Sequence, residues 1–206
     1  MTKARTEVVI AGVGGQGTVL AARILADAAI AVAGEDPGWR VRVGETFGAA
    51  MRGGSVSSHV RWGSVSSPLV PRRRAGLVIG LEPLEGVRAA VKYVSPGGTV
   101  VLHSRTLPPV DAAIGLVCYP PVAELRQVVE SAGARVLVVD AEKLAVEAGT
   151  RRCANVVMLG FSQGLGVLPL PREALVLAIR RRVPSRYLDV NLEAFELGRL
   201  EGERYR

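Results

Sequence analysis

Two glycine-bearing segments carry the residues best suited to chemistry. Gly12-Val13-Gly14-Gly15-Gln16-Gly17 fits G-x-G-x-x-G, directly after the β-branched run Glu7-Val8-Val9-Ile10-Ala11 and before a stretch of helical spacing. In that setting the first glycine permits a tight turn and the second lets a ligand approach the backbone. The helix N-terminus that follows offers free N–H groups and a positive dipole to an anion. Gly12, Gly14, Gly15, Gln16 and Gly17 are therefore candidate cofactor-binding residues. A dinucleotide site of this kind also needs an acidic residue about 20 residues further on, at the end of the second strand, to read the ribose. Glu35 and Asp36 precede the second predicted strand and Glu45 follows it well beyond that spacing, which argues against an NAD site. The alternative is that the glycines serve only close strand-to-helix packing.

The second segment is Gly44-Glu45-Thr46-Phe47-Gly48-Ala49-Ala50-Met51-Arg52-Gly53-Gly54-Ser55. Its small residues suit a loop whose backbone approaches another surface, with the Arg52 guanidinium held as a fork for a carboxylate or phosphate. Arg52, Gly53, Gly54 and Ser55 are candidate contacts to a cofactor or a partner subunit; an ordinary solvated arginine is the alternative. Neither His59 nor His103 has a partner at metal-ligand spacing, so both are expected at strand or loop surfaces, and no metal site is expected. Cys118 and Cys153 read as packing residues, and two cysteines cannot build a four-thiolate cluster. Glu82 and Glu85 flank Pro83, where favourable charge at a helix start explains them. Asn155 and Asn191, at otherwise apolar helix starts, are expected to cap or to meet another subunit.

The elements that must position these residues alternate between strand and helix, which predicts an α/β fold: an open, mostly parallel, Rossmann-like sheet with helices on both faces. Strands are predicted at Glu7–Ala11, Trp39–Val43, His59–Trp62, Gly76–Leu81, Thr99–Leu102, Ile114–Cys118 and Arg135–Val139. Helices are predicted at Thr18–Ala33, Glu85–Tyr93, Pro121–Ala132, Asn155–Leu165, Arg172–Arg182 and Asp189–Leu200, with another N-capped by Asp140, running through Ala148 and ended by Gly149, and a turn at Ser95-Pro96-Gly97-Gly98. A length of 206 residues fits a single domain spanning 1–206, closed by a short charged C-terminal tail.

Composition narrows the function classes. The net charge is +7, and arginine supplies 23 of the 26 basic residues, a bias toward bidentate contacts with carboxylates or phosphates. Aromatics make up only 4% and no basic helix is interleaved with stacking residues, so nucleic acid is not the expected partner. Hydrophobic residues at 49% exclude a disordered chain, while no run approaches the roughly 18 apolar residues of a membrane span. The polar, basic start Met1 to Thr6 lacks a signal-peptide core, and the expected location is the cytoplasm.

Beyond these local features, the chain resembles the beta subunit of indolepyruvate:ferredoxin oxidoreductase, equivalent to the gamma domain of other 2-oxoacid:ferredoxin oxidoreductases. The resemblance runs through Gly12 to Gly17, Gly44-Glu45, Arg52 to Ser55, Gly80-Leu81-Glu82-Pro83-Leu84-Glu85, Pro108-Pro109, Tyr119-Pro120, Asp140 to Ala145, Asn155-Val156-Val157, Pro169, Asp189-Val190-Asn191 and Ala194 to Gly198. It implies a Rossmann-like subunit of an enzyme that oxidatively decarboxylates an aryl 2-oxoacid, with coenzyme A as acyl acceptor and ferredoxin as electron acceptor. It further implies that thiamine diphosphate and the iron–sulfur clusters belong to a large alpha subunit, so that this chain binds no cofactor alone and is inactive in isolation. Phe47, Met51 and Gly76 depart from the family's usual His, Gln and Asp. Two functions from other classes compete on the residues alone: a free-standing NAD- or flavin-binding oxidoreductase domain, and a phosphate-binding regulatory module.

Overall fold

Apolar runs without alternation become strands covered on both faces. The computed structural model describes residues 5–34, 38–48, 53–108, 112 and 114–206. Its six strands are β1 (Thr6–Val13), β2 (Arg40–Phe47), β3 (Ser55–Gly63), β4 (Ala75–Gly80), β5 (Val94–His103) and β6 (Arg135–Val139). They form one sheet in the order β2-β3-β1-β4-β5-β6. β1, β4, β5 and β6 pair in parallel, while β3 runs antiparallel to both β1 and β2.

The period of two sorts each strand between two cores. Val8 and Ile10 join Leu77, Ile79 and Val101 under α1 (Thr18–Ala33), α5 (Ala154–Gly164), α6 (Arg172–Arg182) and α7 (Leu188–Glu203). Val9 and Ala11 join Val78, Val100 and Leu102 under α2 (Pro83–Tyr93) and α3 (Val122–Ser131). The short α4 (Ala141–Glu147) contributes Ala141 and Ala145 to the first core. As the sequence suggests, Asp140 caps α4 through Lys143 N at 3.0 Å, and Gly149 takes a φ of 124° beyond its end. No helix among the described residues is long and apolar enough to cross a membrane.

Several expectations are corrected. Ile114–Cys118 is a run of turns and bends rather than a strand: Leu116 is 72% exposed and Gly115 has a φ of 79°, so nothing covers an apolar face there. Cys118 is accordingly exposed instead of packed, whereas Cys153 is buried and its thiol pKa is pushed up by burial. The turn at Ser95 to Gly98 lies inside β5 as a bulge, because pairing passes from Ala75↔Val94 straight to Leu77↔Thr99. The terminal helix runs on to Glu203, through half of the expected tail.

His59 is fully buried in β3, not on a surface. Its Nδ1 accepts from Val70 N at 3.3 Å and its ring meets Tyr93 edge-on at 4.9 Å. Burial first, then the charges of Lys92 and Arg61, lower its pKa to about 4. In β3's other long polar side chain, Arg61, charge is instead paired: it binds Glu7 and donates to Ser67 O and Leu69 O, which secures the segment after β3.

The helix pair α5 and α7 packs through glycines spaced by four. A methyl group on Gly160 or Gly164 would overlap the carbonyl oxygens of Phe195 or Arg199, and one on Gly198 or Gly202 would overlap those of Val157 or Phe161. The two backbones touch where any side chain would hold them apart.

Two outcomes are expected. Gly160→Ala should lower stability by about 3 kcal/mol, the upper range for overpacking, despite the better helix propensity of alanine. Gly76→Ala, whose added Cβ meets nothing within 4 Å, should be nearly neutral, and urea midpoints compare the two. For His59 the unfolded ring titrates near the ordinary 6.5 and the folded one near 4, so its contribution is complete above pH 6.5 and is lost as pH falls toward 4. The loss amounts to about 3 kcal/mol at the conversion of 1.36 kcal/mol per pH unit. His59→Gln should flatten this part of the stability profile when denaturant unfolding is followed between pH 7.5 and 4.5.

Candidate functional site

The chain leaves β1 toward α1 on one face of the sheet and leaves β4 toward α2 on the other. That divergence opens a crevice beyond the C-terminal ends of two neighbouring parallel strands, the place where such sheets bind ligands. The glycine loop lies in it. Gln16 N donates to Val13 O at 3.1 Å, and Val13 N donates to Gln16 Oε1 at 2.7 Å. Gln16 Nε2 then donates to Leu81 O at 3.0 Å, tying the loop to the end of β4. A Cβ on Gly12 would lie 2.7 Å from Gln16 Oε1 and 3.1 Å from Leu81 Cβ, so only glycine leaves room for this latch. Gly15 and Gly17 have φ of 108° and 82°.

The two glycine segments singled out in the sequence meet here. Gly14 N donates to Gly54 O at 2.9 Å and Gly53 N to Gly14 O at 3.4 Å. Ser55 pairs with Val13 as β3 begins. Arg52, with Ala49, Ala50 and Met51, lies outside the described residues, as do Glu35 and Asp36. On the opposite side Asn155, the second residue of α5, donates through Nδ2 to Gly17 O at 3.2 Å. It braces the glycine loop from across the crevice; Asn191, also buried, donates to Tyr187 O at 2.8 Å four residues back.

Cationic cavities flank the loop on both sides. One, of about 420 Å³, runs from Gly14, Gly15 and Gln16 past His103 and Arg105 to Arg151, Arg152 and Asn155. Arg105 is paired with Glu142. Arg151 and Arg152, in the single 3-10 turn (Arg151–Cys153) before α5, have no carboxylate partner among the described residues. The other cavity, of about 630 Å³, also includes Gly14 and Gly15 and is bordered by Arg23, Arg181 and Phe47. Backbone N–H groups at the start of α1, flanked by guanidinium groups, suit a phosphate-bearing ligand laid across the loop.

His103 is a site residue that the sequence reading placed at a surface. It ends β5 opposite Val139, is 4% exposed, and borders the first cavity. Burial lowers its pKa, countered by the Val139 carbonyl, Asp140 and Glu142 and reinforced by Arg105. Glu82 also does more than favour a helix start. Its Oε2 accepts from Glu85 N at 2.9 Å, while its Oε1 accepts from Leu107 N at 3.3 Å and from the Tyr119 hydroxyl. This buried carboxylate holds Leu107 and Tyr119 at the head of α2, and burial followed by the Glu82 contact raises the Tyr119 pKa. Nothing in the spacing of Glu82 and Tyr119 signals the contact.

The topology keeps the end of β2 from reading a ribose at the glycine loop. β3 stands between β1 and β2, so the end of β2 is not beside the glycine loop, and Glu45 pairs with Ser58 at the sheet's edge. Among the described residues no group of three or more His, Cys, Asp and Glu could hold a metal ion.

Comparison with known proteins adds specificity. The pyruvate ferredoxin/flavodoxin oxidoreductase family matches residues 7–201. The indolepyruvate oxidoreductase subunit IorB of Thermococcus kodakarensis is 41% identical over 193 residues, 93% of each chain. The pyruvate oxidoreductase subunit PORC of Thermotoga maritima shares the fold with a TM-score of 0.70 at 22% identity, covering 96% of this chain and 97% of its own. A 2-oxoglutarate:ferredoxin oxidoreductase of Magnetococcus marinus, solved with 2-oxoglutarate, coenzyme A and succinyl-CoA, matches 98% of this chain within 32% of its own length at a TM-score of 0.70 and 21% identity.

Gln16 is the test of the loop's architecture. Gln16→Ala leaves Val13 N and Leu81 O without these partners, and the expected cost is about 1–3 kcal/mol. Gln16→Glu keeps the acceptor for Val13 N but turns a second carboxylate oxygen toward Leu81 O, and should recover none of the Leu81 half. Denaturant unfolding of the three proteins separates the two contacts.

Proposed function

Because the chain belongs to the pyruvate ferredoxin/flavodoxin oxidoreductase family, we propose that it is the small subunit of an indolepyruvate:ferredoxin oxidoreductase. In this reading the enzyme oxidatively decarboxylates an aryl 2-oxoacid, passes the acyl group to coenzyme A and delivers the electrons to ferredoxin. The observation that carries the assignment is identity of 41% sustained along 93% of both this chain and a relative named as that subunit. A large partner subunit supplies thiamine diphosphate and the iron–sulfur clusters, and the complex works in the cytoplasm. Gly14, Gly15, Gln16 and Gly17, with Gly53, Gly54 and Ser55, are the residues proposed to meet coenzyme A or the partner, with Gly12 shaping the turn behind them, and Arg52 is proposed as a further contact in the same stretch of sequence.

The two cationic cavities support a phosphate-bearing co-substrate, since Gly15, whose N–H has no partner among the described residues, borders both of them just before α1. What this chain contributes is binding and orientation: it holds the phosphates by the loop and the arginines, so that the thiol end extends toward the partner.

The test is reconstitution. The chain purified alone should be colourless and inactive, and adding the large subunit should give coenzyme A-dependent decarboxylation of indolepyruvate with reduction of ferredoxin. Tight flavin or NAD binding by the isolated chain, or full activity of the large subunit without it, would overturn the assignment.

A further inference from the structure

His103 Nδ1 stands between a donor and an acceptor. It lies 3.4 Å from Val139 O and 3.3 Å from Arg105 N. A neutral imidazole cannot satisfy both, because Nδ1 either carries a proton or offers a lone pair. Val139 O already accepts from Ser104 N at 2.9 Å, whereas Arg105 N needs an acceptor. The neutral ring therefore keeps its proton on Nε2 and accepts from Arg105 with Nδ1. Protonation would turn Nδ1 into a donor to Val139 O, with Nε2–H retained. Nε2 has no hydrogen-bond partner among the described residues, and the ring borders the cavity of the glycine loop.

Charges of both signs act on the ring. Asp140 and Glu142 favour the imidazolium, but burial and Arg105 oppose it and prevail, and Glu142 is partly spent on Arg105; Arg151 and Arg152 line the same cavity. Glu82, at the head of α2, is committed to Glu85, Leu107 and Tyr119. An anion entering the cavity neutralises the arginines and places negative charge beside the ring, which reverses the balance. Resting on the reading that the cavity receives the phosphates of the co-substrate, we propose that His103 is a proton-linked anion-binding residue, protonated when a phosphate-bearing ligand binds and neutral again on its release.

The sign follows from linkage. If the bound complex holds the ring's proton more tightly than the free protein, binding takes up a proton and affinity rises as pH falls. Between the free and bound pKa values the change approaches tenfold per pH unit.

Inorganic pyrophosphate is the probe, added to the full chain while its histidine ring signals are followed by NMR across pH 5 to 8. The chain has only two histidines, and buried His59, away from the cavity, serves as the internal reference. The expected result is a His103 pKa raised by at least one unit at saturation, with His59 unmoved. Calorimetry should show affinity falling as pH rises from 6 to 7.5 in the native chain, by at most about tenfold for each unit by which the pKa is raised. His103→Gln should lose most of that dependence, leaving only the titration of pyrophosphate itself. Shifts in the amides of Gly14 and Gly15 report binding independently. Binding at those amides with an unmoved His103 pKa, or equal pH slopes for the native chain and His103→Gln, would overturn the proton linkage alone. Failure of pyrophosphate to perturb the loop at any of these pH values would overturn the phosphate reading of the cavity and the linkage with it.

Discussion

The structure depends on backbone approaching backbone at the glycine loop. Residues 12–17 must turn from β1 into α1 while lying against the end of β4, the start of β3 and the N-terminus of α5. Each approach is fixed by a named contact: Gln16 to Leu81, Gly14 to Gly54, and Asn155 to Gly17. A side chain at Gly12 or Gly17 would occupy the space of the Gln16 or Asn155 amide. The glycines are therefore required by the fold and by ligand access together, and neither explanation displaces the other. What points to a ligand is the pair of arginine-bordered cavities beside them.

Charge is divided along the same line. Several arginines are tied to carboxylates: buried Arg61 to Glu7, and, nearer the surface, Arg182 to Asp27 and Arg172 and Arg199 to Glu196, whose pKa is lowered by the two arginines against the opposing effect of burial. Arg151 and Arg152 keep their charge for the cavity. Buried pairing neutralises cost without creating much stability, whereas an unpaired guanidinium at a cavity wall keeps its binding capacity for an incoming anion.

The sequence made most of this arrangement legible, because strand and helix periods decide which face each residue takes. The runs that became β1, β4, β5 and β6 and the helices α1, α5, α6 and α7 were readable from apolar spacing alone. Failures came where contact is long-range. His59 and His103 looked like surface residues because spacing reports local partners only, and burial between strands is decided by neighbours that the topology supplies. The order β2-β3-β1 was equally hidden, since a hairpin returning beside β1 leaves no local mark, yet it is what holds the end of β2 away from the glycine loop. Glu82 was seen as part of a helix start, while its hold on Tyr119, 37 residues away, was not.

The glycines of α5 and α7 connect packing to the site. Asn155 can support Gly17 only if the first turn of α5 is held at a fixed height against α1, and a helix end alone frays. Gly160 and Gly164 lock the rest of α5 onto α7 through direct backbone contact, and Gly198 and Gly202 reciprocate from α7. Such an interface tolerates little sliding, because a shift along either axis drives a carbonyl into a Cα. The rigidity of a helix pair remote from the loop is thereby passed through α5 to Asn155, and from Asn155 to the carbonyl of Gly17 that begins α1. The N–H groups facing the cavities are thus positioned before any ligand arrives, which reduces the ordering cost of binding.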